Sequence, residues 1–242
     1  MRRRLARLLP LVVLALGLGC TTERETILPW LMRKKVTVSM GGFGDSTHVT
    51  YFVKHYGIWR KLDAWSAWVV DDEHALVNDR DGWGILRRGR LTPVHVCRPY
   101  ESLTVPPLPD RVDCSERAPD ANGPLTRVRA VRFDLSGRVV DSWTLSAVGE
   151  GRIFHPTARV VFYDDAGTPY FVIMDGAAAT TCWDRPCGCA LVWPGNDGAR
   201  VVEGPALRGD QCHRPESWLP LVDRSLRPAD VGLRQRKPAT AS

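Results

Sequence analysis

The sequence predicts an all-β fold stapled by disulfides, on three observations. From Val36 onward, short β-branched and aromatic runs alternate with Gly, Asp and Asn breaks, and no amphipathic helix of ten residues stands out before Pro215. Five glycines sit where hairpins should turn. Of seven cysteines, six follow the N-terminal region as an even set.

The chain opens on a positive segment, Arg2, Arg3, Arg4 and Arg7, followed by an apolar run from Leu8 to Leu18 and small Gly17 and Gly19 around a cleavage point. That is the pattern of a secretory signal, residues 1–19. A run of about eleven apolar residues is too short for a bilayer core, which needs roughly 20. The stretch Leu16-Gly17-Leu18-Gly19-Cys20 resembles a bacterial lipobox, with Gly17 where leucine is usual. The resemblance implies a lipoprotein whose Cys20 becomes the acylated N-terminus, carrying fatty chains such as palmitate in the cell membrane. Several chains at about 0.8 kcal/mol per buried CH₂ make such attachment effectively permanent. Thr21 after the cysteine points by analogy to the outer membrane. An ordinary cleaved signal with Cys20 incidental is the alternative.

Residues 20–35 read as a tether, 36–218 as one β domain, and 219–242 as an irregular, Arg- and Pro-bearing tail. The formal charge of +6 falls to +2 once the four signal arginines are set aside, so nucleic acid is not an expected partner.

Within the β domain, Val36–Met40 and Val49–Val53 read as strands. Trp65–Val70, His74–Asn78, Trp83–Arg88 and Leu91–Val96 read as a four-stranded meander, the shape of one propeller blade. The hairpin glycines Gly57, Gly89, Gly137, Gly167 and Gly198 are spaced by 32, 48, 30 and 31 residues. The long interval contains the Pro-rich loop Arg98–Asp113, so about five hairpins at a period near 31 are expected. Asp134, Asp164 and Asn196 precede three of these glycines, and such side chains cap turns. Tyr170–Met174 is apolar on both faces and reads as a strand between layers. A small propeller-like array, a barrel and a sandwich all satisfy the pattern. Pro215–Leu219 reads as a short docking helix.

Setting Cys20 aside leaves Cys97, Cys114, Cys182, Cys187, Cys189 and Cys212. In an oxidising compartment these predict three disulfides. Locality favours Cys97 with Cys114, a loop whose closure contributes about 3 kcal/mol. The other four pair among themselves, with Cys187 and Cys189 taking different partners. A zinc site on Cys182, Cys187, Cys189 and Cys212 is the rival reading, but the spacing is not that of a ribbon or finger.

No Walker loop, G-x-S-x-G or dinucleotide fingerprint occurs, and no cofactor or metal is expected. Gly44-Asp45-Ser46, Gly195-Asn196-Asp197 and Asp210-Gln-Cys-His213 resemble, in that order, blocks of the SGNH hydrolases. The resemblance implies an esterase in which Ser46 attacks, Asn196 stabilises the oxyanion and His213, oriented by Asp210, acts as base. It also implies an α/β fold with a helix after the serine, whereas Thr47–Tyr51 is strand-like. Trp59, Trp65, Trp68 and Trp83 could stack on sugars; core packing is the preferred reading. The leading expectation is a non-enzymatic binding or scaffold module that engages an envelope protein or glycan. The crosslinked loops Arg98–Asp113 and Trp183–Gly188 are its natural contact surfaces. A purely structural lipoprotein is the third reading.

Overall fold

The structure, a computed structural model, describes residues 18–40, 44–118, 124–154, 158–175, 188–196, 198–204 and 207–229. They form an all-β chain of antiparallel sheets. The first sheet is the meander β1 (Leu18–Leu28), β2 (Leu31–Met40), β3 (Asp45–His55) and β4 (Ile58–Leu62). The second runs β5 (Ser66–Val69), β6 (His74–Asp79), β7 (Gly82–Arg87) and β8 (Val94–Cys97), close to the expected blade-like meander. The third contains β9 (Ser102–Thr104), β10 (Arg111–Arg117), β11 (Arg127–Asp134) and β12 (Val139–Ser146), again in consecutive order. The fourth contains β13 (Arg152–Phe154), β14 (Phe162–Tyr163), β15 (Pro169–Asp175), β16 (Cys189–Gly195), β17 (Gly198–Gly204) and β18 (Arg227–Pro228). Its order is β17-β16-β15-β14-β18, with β13 also on β15. Among the described residues no sheet closes into a barrel, and no helix is long and apolar enough to cross a membrane.

All five predicted hairpin glycines have positive φ, between 74° and 123°. Their spacing, however, is not the structural repeat. Gly57, Gly89 and Gly137 each turn the last hairpin of one four-stranded sheet, whereas Gly167 and Gly198 turn two hairpins of the fourth. The repeating element is therefore a four-stranded meander rather than one hairpin per 31 residues. Gly167 shows why the residue matters. At φ +75°, an added Cβ would come within 2.6 Å of the Leu108 side chain, while Asp164 accepts the Thr168 N–H at 2.8 Å and closes the turn. Asp134 does the same for its turn, accepting from the Ser136 hydroxyl and from the Ser136 and Arg138 N–H groups, and these bonds, the Ser136 hydroxyl foremost, hold its carboxyl below the ordinary range.

The described residues divide into two compact units. The described residues up to Arg80, with Leu86–Pro93, make the first. Asp81–Ile85 and the described residues from Val94 on make the second. The first unit's core gathers Leu28, Leu31, Tyr51, Val53, Leu62, Val77 and Leu86. Residues 20–35, expected as a tether, are paired instead. β1 and β2 form a hairpin around Pro29 and Trp30, in which Glu23 lies opposite Lys35 and Glu25 opposite Arg33. Charge suggested a solvated segment, but Glu23 and Glu25 each face a cation across the hairpin, which offsets the like-charge pair Arg24 and Lys34.

The second unit has two apolar layers divided by β15. Phe171 and Ile173 face one layer with Val128, Phe154 and Val192; Tyr170, Val172 and Met174 face the other with Leu191, Trp193 and Trp218. The strand between layers expected at Tyr170–Met174 is thus present. Helix α1 (Pro215–Trp218) is the short docking helix, its Trp218 fully buried and donating Nε1–H to the Cys212 carbonyl at 3.0 Å. The described part of the tail, 219–229, is also incorporated. Val222 and Leu226 are buried, and β18 pairs with β14.

Cys97 is bonded to Cys114 as expected, and Cys189 to Cys212. A four-thiolate zinc site is therefore corrected, because two of its proposed ligands are consumed in a bond to each other. Cys182 and Cys187 lie outside the described residues. Core packing of the tryptophan group is also corrected in part: Trp65 is 65% exposed and Trp59 36% exposed.

Candidate functional site

A polar row organises the second unit before any cleft is considered. Thr104 lies opposite Asp113 across β9 and β10, and Asp113 opposite Arg132 across β10 and β11. The Arg132 guanidinium donates to both Asp113 oxygens at 2.7 Å and to the Gly167 carbonyl at 2.6 Å. Tyr163 donates its hydroxyl hydrogen to Asp113 Oδ2 at 2.9 Å and lies 2.6 Å from the Thr104 hydroxyl. Arg132 also lies over the Trp143 ring, 4.9 Å from its centroid. Burial pushes the Asp113 carboxyl up, against the pull of the adjacent guanidinium, and pushes the Tyr163 phenol well up. The row fixes β9–β12 against the β14–β15 hairpin.

On that support lies a cleft of about 450 Å³, lined by residues 99–102, 115–117, Leu125 and Ala158. Its floor comes from β10 and its wall from the turn after Cys97, which the Cys97–Cys114 disulfide holds against the sheet. That turn places Tyr100 at φ 71°, fully exposed, and closes with the Arg98 N–H donating to Glu101 Oε2 at 2.7 Å. Glu101 Oε2 is also 3.0 Å from Cys114 Sγ.

Two carboxyl groups share the cleft. Burial first, and then a hydrogen bond to Glu116, raise Glu101 to about 7. Arg129 Nη1 donates to Glu116 Oε1 at 3.4 Å. Glu101 thus holds its proton to higher pH than an exposed carboxyl, with Glu116 beside it. Ser115, also in the lining but on the face of β10 opposite to Glu116, is 1% exposed, and its hydroxyl has no partner among the described residues. A buried hydroxyl without a partner carries a desolvation cost that a bound polar group relieves. Hydroxyl, carboxyl groups and exposed aromatic together suit a ligand dense in hydroxyl or amide groups.

Glu101 makes a prediction about stability. Its carboxyl ionises near 4.5 when exposed and near 7 in the folded chain, so the folded form binds the extra proton between those values. Stability should fall as pH rises through that window. The Glu101→Gln variant should lose this component, seen as a flatter dependence of Tm on pH than the parent. Parallel curves for the two proteins would refute it.

The residues expected to form an esterase are placed as follows. Ser46 is half-buried within β3 of the first unit, opposite Val38. Asn196 is exposed at the β16–β17 turn of the second unit. Also in that unit, Asp210 pairs with Arg214 at 2.9 Å and with Arg208 at 3.7 Å. His213 stands in a short 3₁₀ turn, Gln211–His213, where burial and then the charge of Arg159 hold it below the ordinary imidazole range. The all-β fold differs from the α/β fold that resemblance implies, and Ser46 has a strand rather than a helix after it.

Sequence reasoning singled out the loop 98–113 but missed Glu101, Ser115 and Glu116, whose partnership depends on strand register. A signal for Arg132 was available. Counting by twos along β11 from the inward-facing Val128 and Ala130 lands on Arg132, a charge on the buried face. Compared with known proteins, the chain matches no protein-family model and no curated protein.

Proposed function

We propose that the chain is an exported lipoprotein, anchored to the outer membrane through acylated Cys20, whose second unit is a binding module for an envelope protein or glycan. The observation that carries the binding reading is the cleft itself, whose lining holds the Glu101–Glu116 pair and, on the other face of β10, Ser115, a buried hydroxyl without a partner among the described residues. The disulfide beneath the Tyr100–Glu101 turn reduces the ordering cost of binding. The anchored reading is supported by Cys20 being exposed and free, whereas Cys97, Cys114, Cys189 and Cys212 are spent in disulfides.

Intact mass of the chain purified from membranes tests the anchor and the staples together, by added acyl mass and the loss of six thiol hydrogens. Recovery after mild crosslinking in native membranes tests the cleft. Tyr100→Ala should reduce recovery of the specific protein or glycan with Tm little changed, because Tyr100 is wholly exposed, and Glu116→Gln should reduce it while also weakening the contacts with Glu101 and Arg129. Equal recovery by both variants, or no specific partner with the parent chain, would remove the binding reading.

A further inference from the structure

We infer that one face of the β1–β4 sheet lies flat on anionic phospholipid headgroups, on the side from which the Cys20 acyl chains enter the membrane. The inference rests on the anchored reading of Cys20 and concerns the first unit alone.

Strand alternation and register divide this sheet into two faces. Leu31, Tyr51, Val53 and Leu62 mark the inner face, since all are buried in the first unit's core. That face also carries the sheet's acids. Glu25 pairs there with Arg33 at 2.5 Å and Glu23 with Lys35 at 3.8 Å, so two of its three strand cations are neutralised; the third, Arg60, lies opposite Val53. Asp45, opposite Ser39, is on the same side.

The outer face is read from the same registers. Cys20 lies opposite Val38, and Val38 opposite Ser46. Arg24 lies opposite Lys34, Phe52 opposite Lys61, and Lys54 opposite Trp59. The outer face therefore holds the cations Arg24, Lys34, Lys54 and Lys61 and no acid. Among the described residues none of the four has an ion pair; Lys54 instead sits 6.0 Å from the Trp59 ring centroid. Between them are the apolar side chains Met32, Val36, Val38 and Phe52, with partly exposed Trp59 near the far edge.

A face with cations, no acids, apolar side chains and an indole matches the chemistry of an anionic headgroup layer. Each basic residue close to such a surface favours it by about fivefold. Four of them on a rigid sheet act together, over roughly 26 Å from Ser46 to Lys54 at about 3.3 Å per residue. Cys20 opens onto this same face. Acyl chains alone would leave the sheet free to stand or lie; the cations select lying.

The test reconstitutes the membrane-purified chain in vesicles of phosphatidylcholine, alone or mixed with phosphatidylglycerol, and acetylates lysines with a water-soluble reagent read by mass spectrometry. Lys34, Lys54 and Lys61 should label several-fold more slowly on the anionic vesicles, with protection lost at high salt, while Lys35 on the inner face is unchanged. The triple variant Arg24→Glu, Lys34→Glu, Lys61→Glu should abolish protection of Lys54. Equal labelling on both vesicle types, or equal protection of Lys35, overturns the inference. So does protection that grows with protein concentration in detergent, which would indicate a second copy, or that occurs only in native membranes, which would indicate a protein partner. If intact mass shows no acyl chain, the anchor alone fails; the labelling is then repeated with chain added to preformed vesicles, where absence of the contrast overturns this face as well.

Discussion

Replacing Arg132 with methionine is expected to destabilise the second unit by about 3–5 kcal/mol, the range for a buried ion pair that loses one partner. Asp113 is wholly buried and Arg132 only 7% exposed, so no solvent reaches the carboxylate left behind. Its remaining hydrogen bond would be the one from the Tyr163 hydroxyl, while the Gly167 carbonyl would lose the guanidinium as well. The loss is a statement about breaking the pair, not about its net worth. Burial already pushes Asp113 up in the intact protein, which signals that desolvation consumes much of the attraction. The double variant Asp113→Leu, Arg132→Met should therefore be less destabilised than the sum of the two single changes. Urea unfolding of all four proteins supplies the cycle. Strict additivity would show that the two side chains do not act as a pair.

Removing the Cys189–Cys212 disulfide by alanine at both positions should cost about 3 kcal/mol from loop closure across a separation of 23 residues. Both cysteines are fully buried within the layer that contains Trp218. The bond ties β16 to the segment that leads into α1, and Trp218 donates to the Cys212 carbonyl. Loss of the crosslink should therefore loosen α1 first. Trp218 should become more accessible to a soluble fluorescence quencher at denaturant concentrations where the parent chain is still folded. Unchanged quenching, with a midpoint close to that of the parent, would mean that packing alone docks this segment.

Much of the fold was readable in the chain because it depends on neighbours. Positive φ at Gly137 and Gly167, and the caps supplied by Asp134 and Asp164, depend on residues within a turn. The Cys97–Cys114 bond spans one local loop, and the double-sided burial of β15 is written in five consecutive apolar residues. The candidate site was readable only as a loop worth watching. Glu101 and Glu116 belong to different elements, and Ser115 looks like an ordinary strand residue until its surroundings are known.

The first sheet shows the same division. Residues 20–35 read as a charged tether because composition reports charge without direction. Pairing with β2 then sends Glu23 and Glu25 to one face and Cys20 and Arg24 to the other.

By itself, then, the sequence determined the all-β class, the turns, the nearest disulfide and the expectation of an acylated Cys20, each carried by a few adjacent residues. Only the tertiary structure decided the division into two units, the Asp113–Arg132–Tyr163 network, the Glu101–Glu116 pairing in the cleft and the gathering of the acids of β1–β4 on one face. The physical reason is register. A strand's composition is local, but which side chains meet across 19 or 50 residues, and which face they share, is set by pairing that no single segment contains.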